Sequence, residues 1–301
     1  MKNDKIKELY YTAGEAREVL DLSDDKFQYW VKAGRIEKVL LPGRAQYLYP
    51  RRSVDRLARR IEAAIIADSP EGLDYRKARI EDLQLEYELS HLIFGKNAHT
   101  VAIRKKYMEK NPDIDYHLYD TDKLAAFINV IPFTKETIQA FISGEKRGHE
   151  LDPNTILPFV PGQPLECIVM EMATTPTVPP ERRTIYGSQL IMGFAETLGQ
   201  WGEQGVIINK LHATSSTPTG QRICRSAGFQ VVHDFENGRL AFELDLNTSN
   251  AKILREYREG LENRKNRENL NNLMSKETKK RTSSKLRSQT TAKTKPSPST
   301  V

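Results

Sequence analysis

Apolar positions in the first third of the chain recur at helical spacing. Ala13, Ala16 and Leu20 share one face of a helix expected over 12–20, opened by Thr12-Ala13-Gly14-Glu15. That stretch is a capping box, in which the Thr hydroxyl accepts from the third helical N–H and the Glu reaches back to the cap. Asp21-Leu22-Ser23 reads as a tight turn. Ser23 caps a second helix, 24–33, whose Asp24 and Asp25 suit the positive helix end and which stops at Gly34. Phe27, Trp30 and Val31 form its expected core face. Residues 35–41 and 46–49 read as two strands around the turn Pro42-Gly43-Arg44. Val54, Leu57, Ile61 and Ile65 then return to helical spacing over 53–66.

Beyond a polar linker at 67–72, strands and helices alternate. Strands are expected at 74–78, 116–119, 124–133, 165–172, 206–213, 228–232 and 239–246, and helices at 81–94, 185–200 and 219–227. The run LECIVMEM at 165–172 is the most apolar strand. Glu236-Asn237-Gly238, lying between two apolar runs, is a strong hairpin signal. Residues 247–274 are polar, with Ile253, Leu254, Tyr257 and Leu261 spaced for one helix face. Residues 275–301 hold almost nothing apolar and are expected to be disordered. The fold class is therefore α+β: a small head (7–66), a linker (67–72), a mixed-sheet body (73–246), a further helix (247–274) and a basic tail (275–301).

The 301 residues sum to a net charge of +6, and mean hydropathy is −0.59. The charge is unevenly placed. Residues 1–65 carry 14 Lys/Arg against 10 Asp/Glu, 66–260 carry 21 against 27, and 261–301 carry 11 against 3. A basic head and tail thus flank an acidic body, and any nucleic-acid contact is expected outside the body. Two cysteines cannot form a disulfide framework, which fits a reducing cytoplasm, or the nucleoid in a prokaryote. The charged N-terminus has no signal-peptide core, no run approaches the ~18 apolar residues of a membrane span, and the histidines lack zinc-ligand spacing, so neither a membrane nor a metal is expected.

Two helices across a three-residue turn have the size of a DNA-binding helix-turn-helix. TAGEAREVL, FQYWVKAGRI, the hairpin KVLLPGRAQYLY and the helix opening SVDRL together resemble the winged N-terminal domain of MerR-family and excisionase-family proteins. The resemblance covers about a fifth of the chain and implies double-stranded DNA as partner. Lys26, Gln28, Tyr29 and Lys32 would face the major groove, and Arg35, Lys38 and Arg44 the backbone. MerR regulators continue into a long dimerisation helix. Here the third helix stops near Ile66, so either a homodimer forms through the body or the head binds as a monomer, as excisionase-like heads can.

The body resembles the GNAT acyltransferase superfamily over about 170 residues, on the opening YRKARIEDL, the stretch LHATSSTPTGQRICRSAGFQVV and the last strand GRLAFELDL. The resemblance implies a mixed sheet splayed in the middle, acetyl-CoA or another acyl-CoA in the opening, and a small amine or protein lysine as acceptor. The family's diphosphate loop aligns with Arg182–Ser188, which makes Arg182, Arg183, Tyr186, Gly187 and Ser188 the expected cofactor-binding residues. The first loop glycine is replaced by Ile185, and the same stretch also reads as a helix start after Pro179-Pro180 with two surface arginines. Glu171, on the central strand, is the expected general base, its pKa raised by apolar neighbours. Cys224 stands where the family often has a general-acid tyrosine. Two readings follow: a DNA-targeted N-acetyltransferase or acetyltransferase-bearing regulator, and a non-enzymatic regulator whose degenerate GNAT domain senses acyl-CoA or mediates dimerisation.

Overall fold

The computed structural model describes residues 6, 8–42, 44–67 and 72–268. The linker residues 68–71, Gly43 of the expected turn and everything from 269 onward, including the expected tail, lie outside the described residues.

The head begins with β1 (Tyr10–Tyr11), α1 (Ala13–Leu20) and α2 (Asp24–Lys32), followed by β2 (Tyr49–Pro50) and α3 (Arg51–Ala67). The capping box at Thr12 and Glu15 is formed, and Ser23 caps α2 by accepting from the Lys26 N–H. Ala16, Val19 and Leu20 are the buried face of α1, while Ala13, expected inside, is exposed. Phe27 and Val31 are buried. Trp30 is half-buried at the core edge, with Lys26 and Arg35 over its ring at 5.9 and 5.5 Å. The expected hairpin strands shrink to one bridge, Val39↔Leu48, and β2 pairs instead with β1. Among the described residues of the hairpin Ile36, Leu48 and Tyr49 are buried, and Tyr49 is taken up by the pairing with β1, so little apolar area is left to hold a longer ladder.

The body holds β3 (Leu73–Lys77), α4 (Leu83–Phe94), α5 (Val101–Lys110), β4 (Asp115–Asp120), β5 (Lys123–Phe133), α6 (Lys135–Ser143), β6 (Pro164–Thr174), α7 (Pro180–Gln204), β7 (Ile207–Ser215), α8 (Pro218–Ser226), β8 (Gln230–Asp234) and β9 (Leu240–Asp245). A last helix, α9, spans 255–268. The strands form one seven-stranded mixed sheet in the order β3-β4-β5-β6-β7-β9-β8, in which β6 and β7 are the parallel pair. The expected strands and helices are all present, and α5 and α6 are additional. One face of the sheet carries the main apolar core, where Tyr186, Leu190, Phe194, Leu198 and Trp201 of α7 meet Leu254 and Tyr257 from the C-terminal helical segment. The other face is covered by α4, α5 and α6. Among the described residues no helix is long and apolar enough to cross a membrane, and no group of three His, Cys, Asp or Glu is arranged to hold a metal.

Candidate functional site

Two irregularities in β6 define the site. The first is a bulge: Asn129 pairs with Glu171 and Val130 with Val169, leaving Met170 unpaired. An extra residue shifts the alternation of side chains. Leu165, Cys167, Val169 and Met172 therefore join the α7 core, while Glu171 turns to the α4–α5 face. The second is a parting of strands. The β6–β7 register ends at Ile168↔His212, yet β6 stays paired to β5 as far as Thr174 and β7 to β9 as far as Ser215. The sheet thus opens beyond Ile168 and His212, and the two diverging strands lead into the N-termini of α7 and α8.

Below the opening lies a buried polar network. Glu171 accepts from Ser90 Oγ at 2.8 Å and from Arg104 Nη2 at 2.8 Å, and contacts His99 Nδ1 at 3.2 Å. Arg104 also donates through Nη1 to Glu86 and through Nε to the His99 carbonyl at 3.0 Å. Glu86 contacts His117 Nε2 at 2.8 Å and accepts from Asn129 Nδ2 at 3.0 Å, and Asn129 donates also to Asp115. The other ring nitrogen of His99 faces the Gly148 carbonyl at 3.2 Å. His99, Arg104, Tyr107, Asp115, Asn129 and Met170 line a cavity of about 10 Å³, the room of a single water.

The network reverses the expectation for Glu171. Burial does act to raise its pKa. The His99 hydrogen bond, the Arg104 charge and the hydrogen bonds from Arg104 and Ser90 outweigh it and hold the pKa down at about 2. Glu86 is also lowered: burial opposes ionisation, but His117 and Arg104 prevail. Asp115 is pushed well up, first by burial and then by the Glu86 charge. A base poised near neutral pH is what proton abstraction requires, and Glu171 is an ion-paired carboxylate instead. Cys224 packs into the core on the α7 side of the sheet, and burial lifts its thiol to about 11. It and Glu171 are thus not brought together.

The expected diphosphate loop is helix from its first residue. α7 begins at Pro180 rather than at Ile185, because Pro179-Pro180 supplies a favourable helix start. The Arg182 and Arg183 N–H groups both go to the Pro179 carbonyl, at 3.0 and 3.1 Å. Tyr186, Gly187 and Ser188 fall in the second and third turns, where backbone N–H groups serve the helix ladder. Arg182 pairs with Asp120 and donates to the Tyr186 hydroxyl at 3.0 Å, Tyr186 donates to Asp120, and Arg183 donates to Asp21 of the head at 3.0 Å. A Cβ at Gly187 would meet Thr174 Cγ2 at 3.8 Å, an ordinary contact, so nothing here demands glycine. The residues present do not fit a diphosphate in this arrangement: Arg183 holds Asp21 of the head, and Arg182 holds Asp120 at the end of β4 within the body.

The sequence reading also missed a part-buried pair at the point of parting, in which His212 is buried and Glu166 half-buried. His212 Nε2 lies 2.7 Å from Glu166 Oε2, and its Nδ1 has Glu243 at 3.8 Å. On the head, Gln28, Tyr29, Lys32, Arg35, Lys38 and Arg44 are exposed, and Lys38 lies over the Tyr47 ring at 4.3 Å. Lys26 faces Glu181 of α7 at 3.8 Å.

The chain matches no protein-family model and no curated protein. Among solved structures it is similar to the ribosomal-protein-S18-alanine N-acetyltransferase from Escherichia coli, at 12% identity over 57% of this chain and 93% of that one, with a TM-score of 0.37. It is similar to the loading GNATL domain of CurA from Lyngbya majuscula at 15% identity, over 57% and 97% of the two chains, with a TM-score of 0.42. An acetyltransferase from Thermus thermophilus is matched at 15% identity, over 58% and 97%, with a TM-score of 0.36. These likenesses concern fold alone.

Proposed function

We propose that the chain is a DNA-binding regulator whose GNAT-like body binds an acyl-CoA in the opening between β6 and β7 without transferring the acyl group. The opening and the sequence resemblance of the body support the ligand. One observation carries the non-enzymatic reading: the Glu171 carboxylate is tied up by Ser90, His99 and Arg104, and the cavity lined by its partners His99 and Arg104 admits one water. An amine acceptor would have neither a base nor room there.

The test is free-thiol release from acetyl-CoA in the presence of spermidine or a lysine-containing peptide. The expected rate equals that of buffer, and a saturable rate would overturn the reading. A second reading has one observation in its favour. Glu166 orients Nε2 of His212 where the strands part, and Nδ1 makes no hydrogen bond within the protein. Thiol release that disappears in His212→Gln but persists in Glu171→Gln would favour turnover through His212.

For the head, the helix–turn–helix order and the exposed face of α2 support the winged helix-turn-helix reading. Replacing Lys32 and Arg35 together by Ala should weaken duplex binding and flatten its salt dependence by about 0.9 for each phosphate no longer neutralised. The basic tail is common to both proteins, so the difference reports the head. An unchanged slope would place the DNA face elsewhere.

A further inference from the structure

The position of the head against the body carries an inference that rests on the acyl-CoA reading above. Beyond Ile168 and His212 the two diverging strands run out into helices whose first turns flank the mouth of the opening. One helix of the head spans that mouth. The Glu18 carbonyl of α1 accepts from Thr219 Oγ1 in the first turn of α8, at 3.2 Å. At the end of the same helix, Asp21 takes Arg183 of α7 through both carboxylate oxygens, at 3.0 and 3.4 Å. α3 lies along α7, and the seam is rich in cations: Arg225 of α8 sits near Arg51 and Asp55 of the head, and Tyr11 donates to Asp55 at 3.0 Å.

We propose that the head is an autoinhibitory gate over the acyl-CoA opening, with Asp21 holding Arg183 in place of a ligand phosphate. The chemistry is that of a two-oxygen anion on a guanidinium, which a carboxylate and a phosphate share. Asp21 is placed for this by its backbone. It is the C-cap of α1 in the left-handed region, at φ 52°, which turns its side chain out of the helix-turn-helix and toward α7. The first turn of α2 also meets the body, where Lys26 faces Glu181 at 3.8 Å while both side chains stay exposed. Lifting the head frees Arg183 for a phosphate, so an acyl-CoA favours the open state.

Asp21→Asn is the direct test, because Asn tolerates the left-handed conformation and removes only the charge. The pair is partly exposed, and burial together with the Glu181 charge pushes the Asp21 pKa up against the pull of Arg183, so the carboxylate occupies the guanidinium more than it anchors the head. Acetyl-CoA titrated into the full chain by calorimetry should therefore bind roughly two-fold more tightly in the variant. Thr219→Val, which removes the other bridge, should shift affinity in the same direction. Hydrogen exchange over 13–20 and 218–226 should quicken in both variants as the seam loosens. Faster exchange with unchanged or weaker acetyl-CoA affinity would overturn the gate while leaving the acyl-CoA reading intact. Unchanged exchange together with unchanged affinity would also overturn it. If none of the proteins binds acetyl-CoA at millimolar concentration, the acyl-CoA reading fails first and the gate falls with it.

Discussion

Arg104→Met should destabilise the body by about 3–5 kcal/mol, the usual cost of removing one partner from a buried ion network. Arg104 is the one arginine facing Glu86 and Glu171 among the described residues, and all three are under a tenth exposed. Taking it away leaves two carboxylates that burial opposes, with only His99, His117, Ser90 and Asn129 to satisfy them. The loss should be largely recovered when Glu86→Gln and Glu171→Gln are added. Replacing every charged member of such a network is often close to neutral, whereas breaking it is not. Urea unfolding of the single and triple variants reads both quantities. A cost below about 1 kcal/mol for Arg104→Met would mean that water reaches the network and that the site is more open than its cavity implies.

The second large effect is with acid. Glu171 has a folded pKa of about 2 against an ordinary 4.5. A lowered folded pKa contributes stability that is fully present above the ordinary value and is lost as pH falls through the folded one. The loss should therefore run from about pH 4.5 down to about pH 2 and amount to roughly 3 kcal/mol. Glu86, also lowered, adds to it in the same direction. Asp115, raised, acts in the opposite sense, its neutral form being favoured at low pH. Glu171→Gln removes the titrating group, so its stability should fall less steeply over that range. Urea midpoints taken from near neutrality to about pH 2.5 check this. An acid limb as steep in the variant as in the parent would show that Glu171 is not held ionised by Arg104.

The strands and helices that bury apolar faces were legible from pattern alone, as β5, β6 and the body of α7 illustrate. α6 escaped notice although its buried face carries Ile138 and Phe141, whereas α5 and the polar site escaped for a physical reason. α5 buries Arg104, Tyr107 and Met108, so its inward face contains an arginine and shows no apolar stripe. α4, a helix expected at 81–94, mixes both kinds of residue on its inward face, with Leu83 and Leu89 buried beside polar side chains. Glu86 and Ser90 face the core while Leu85, Leu92 and Ile93 are exposed. Periodicity counts apolar residues as interior, and a buried polar network defeats it because each member reads as surface. Glu171 was found because a carboxylate in an apolar strand is conspicuous, but its partners lie 67 to 81 residues away in sequence. Its lowered pKa is set by those partners and not by the neighbouring apolar residues from which a raised value was expected. α7 shows a local version of the same limit. The stretch 182–188 reads either as a loop or as a helix started by Pro179-Pro180, and the fixed backbone of the prolines decides for the helix.

The central claim is that the opening between β6 and β7 takes an acyl-CoA. Thermal unfolding of the full chain with acetyl-CoA tests it most directly. Ligand at about 100 times its dissociation constant should stabilise the protein by about 2.7 kcal/mol and raise Tm accordingly. An unchanged Tm at millimolar acetyl-CoA would contradict the claim.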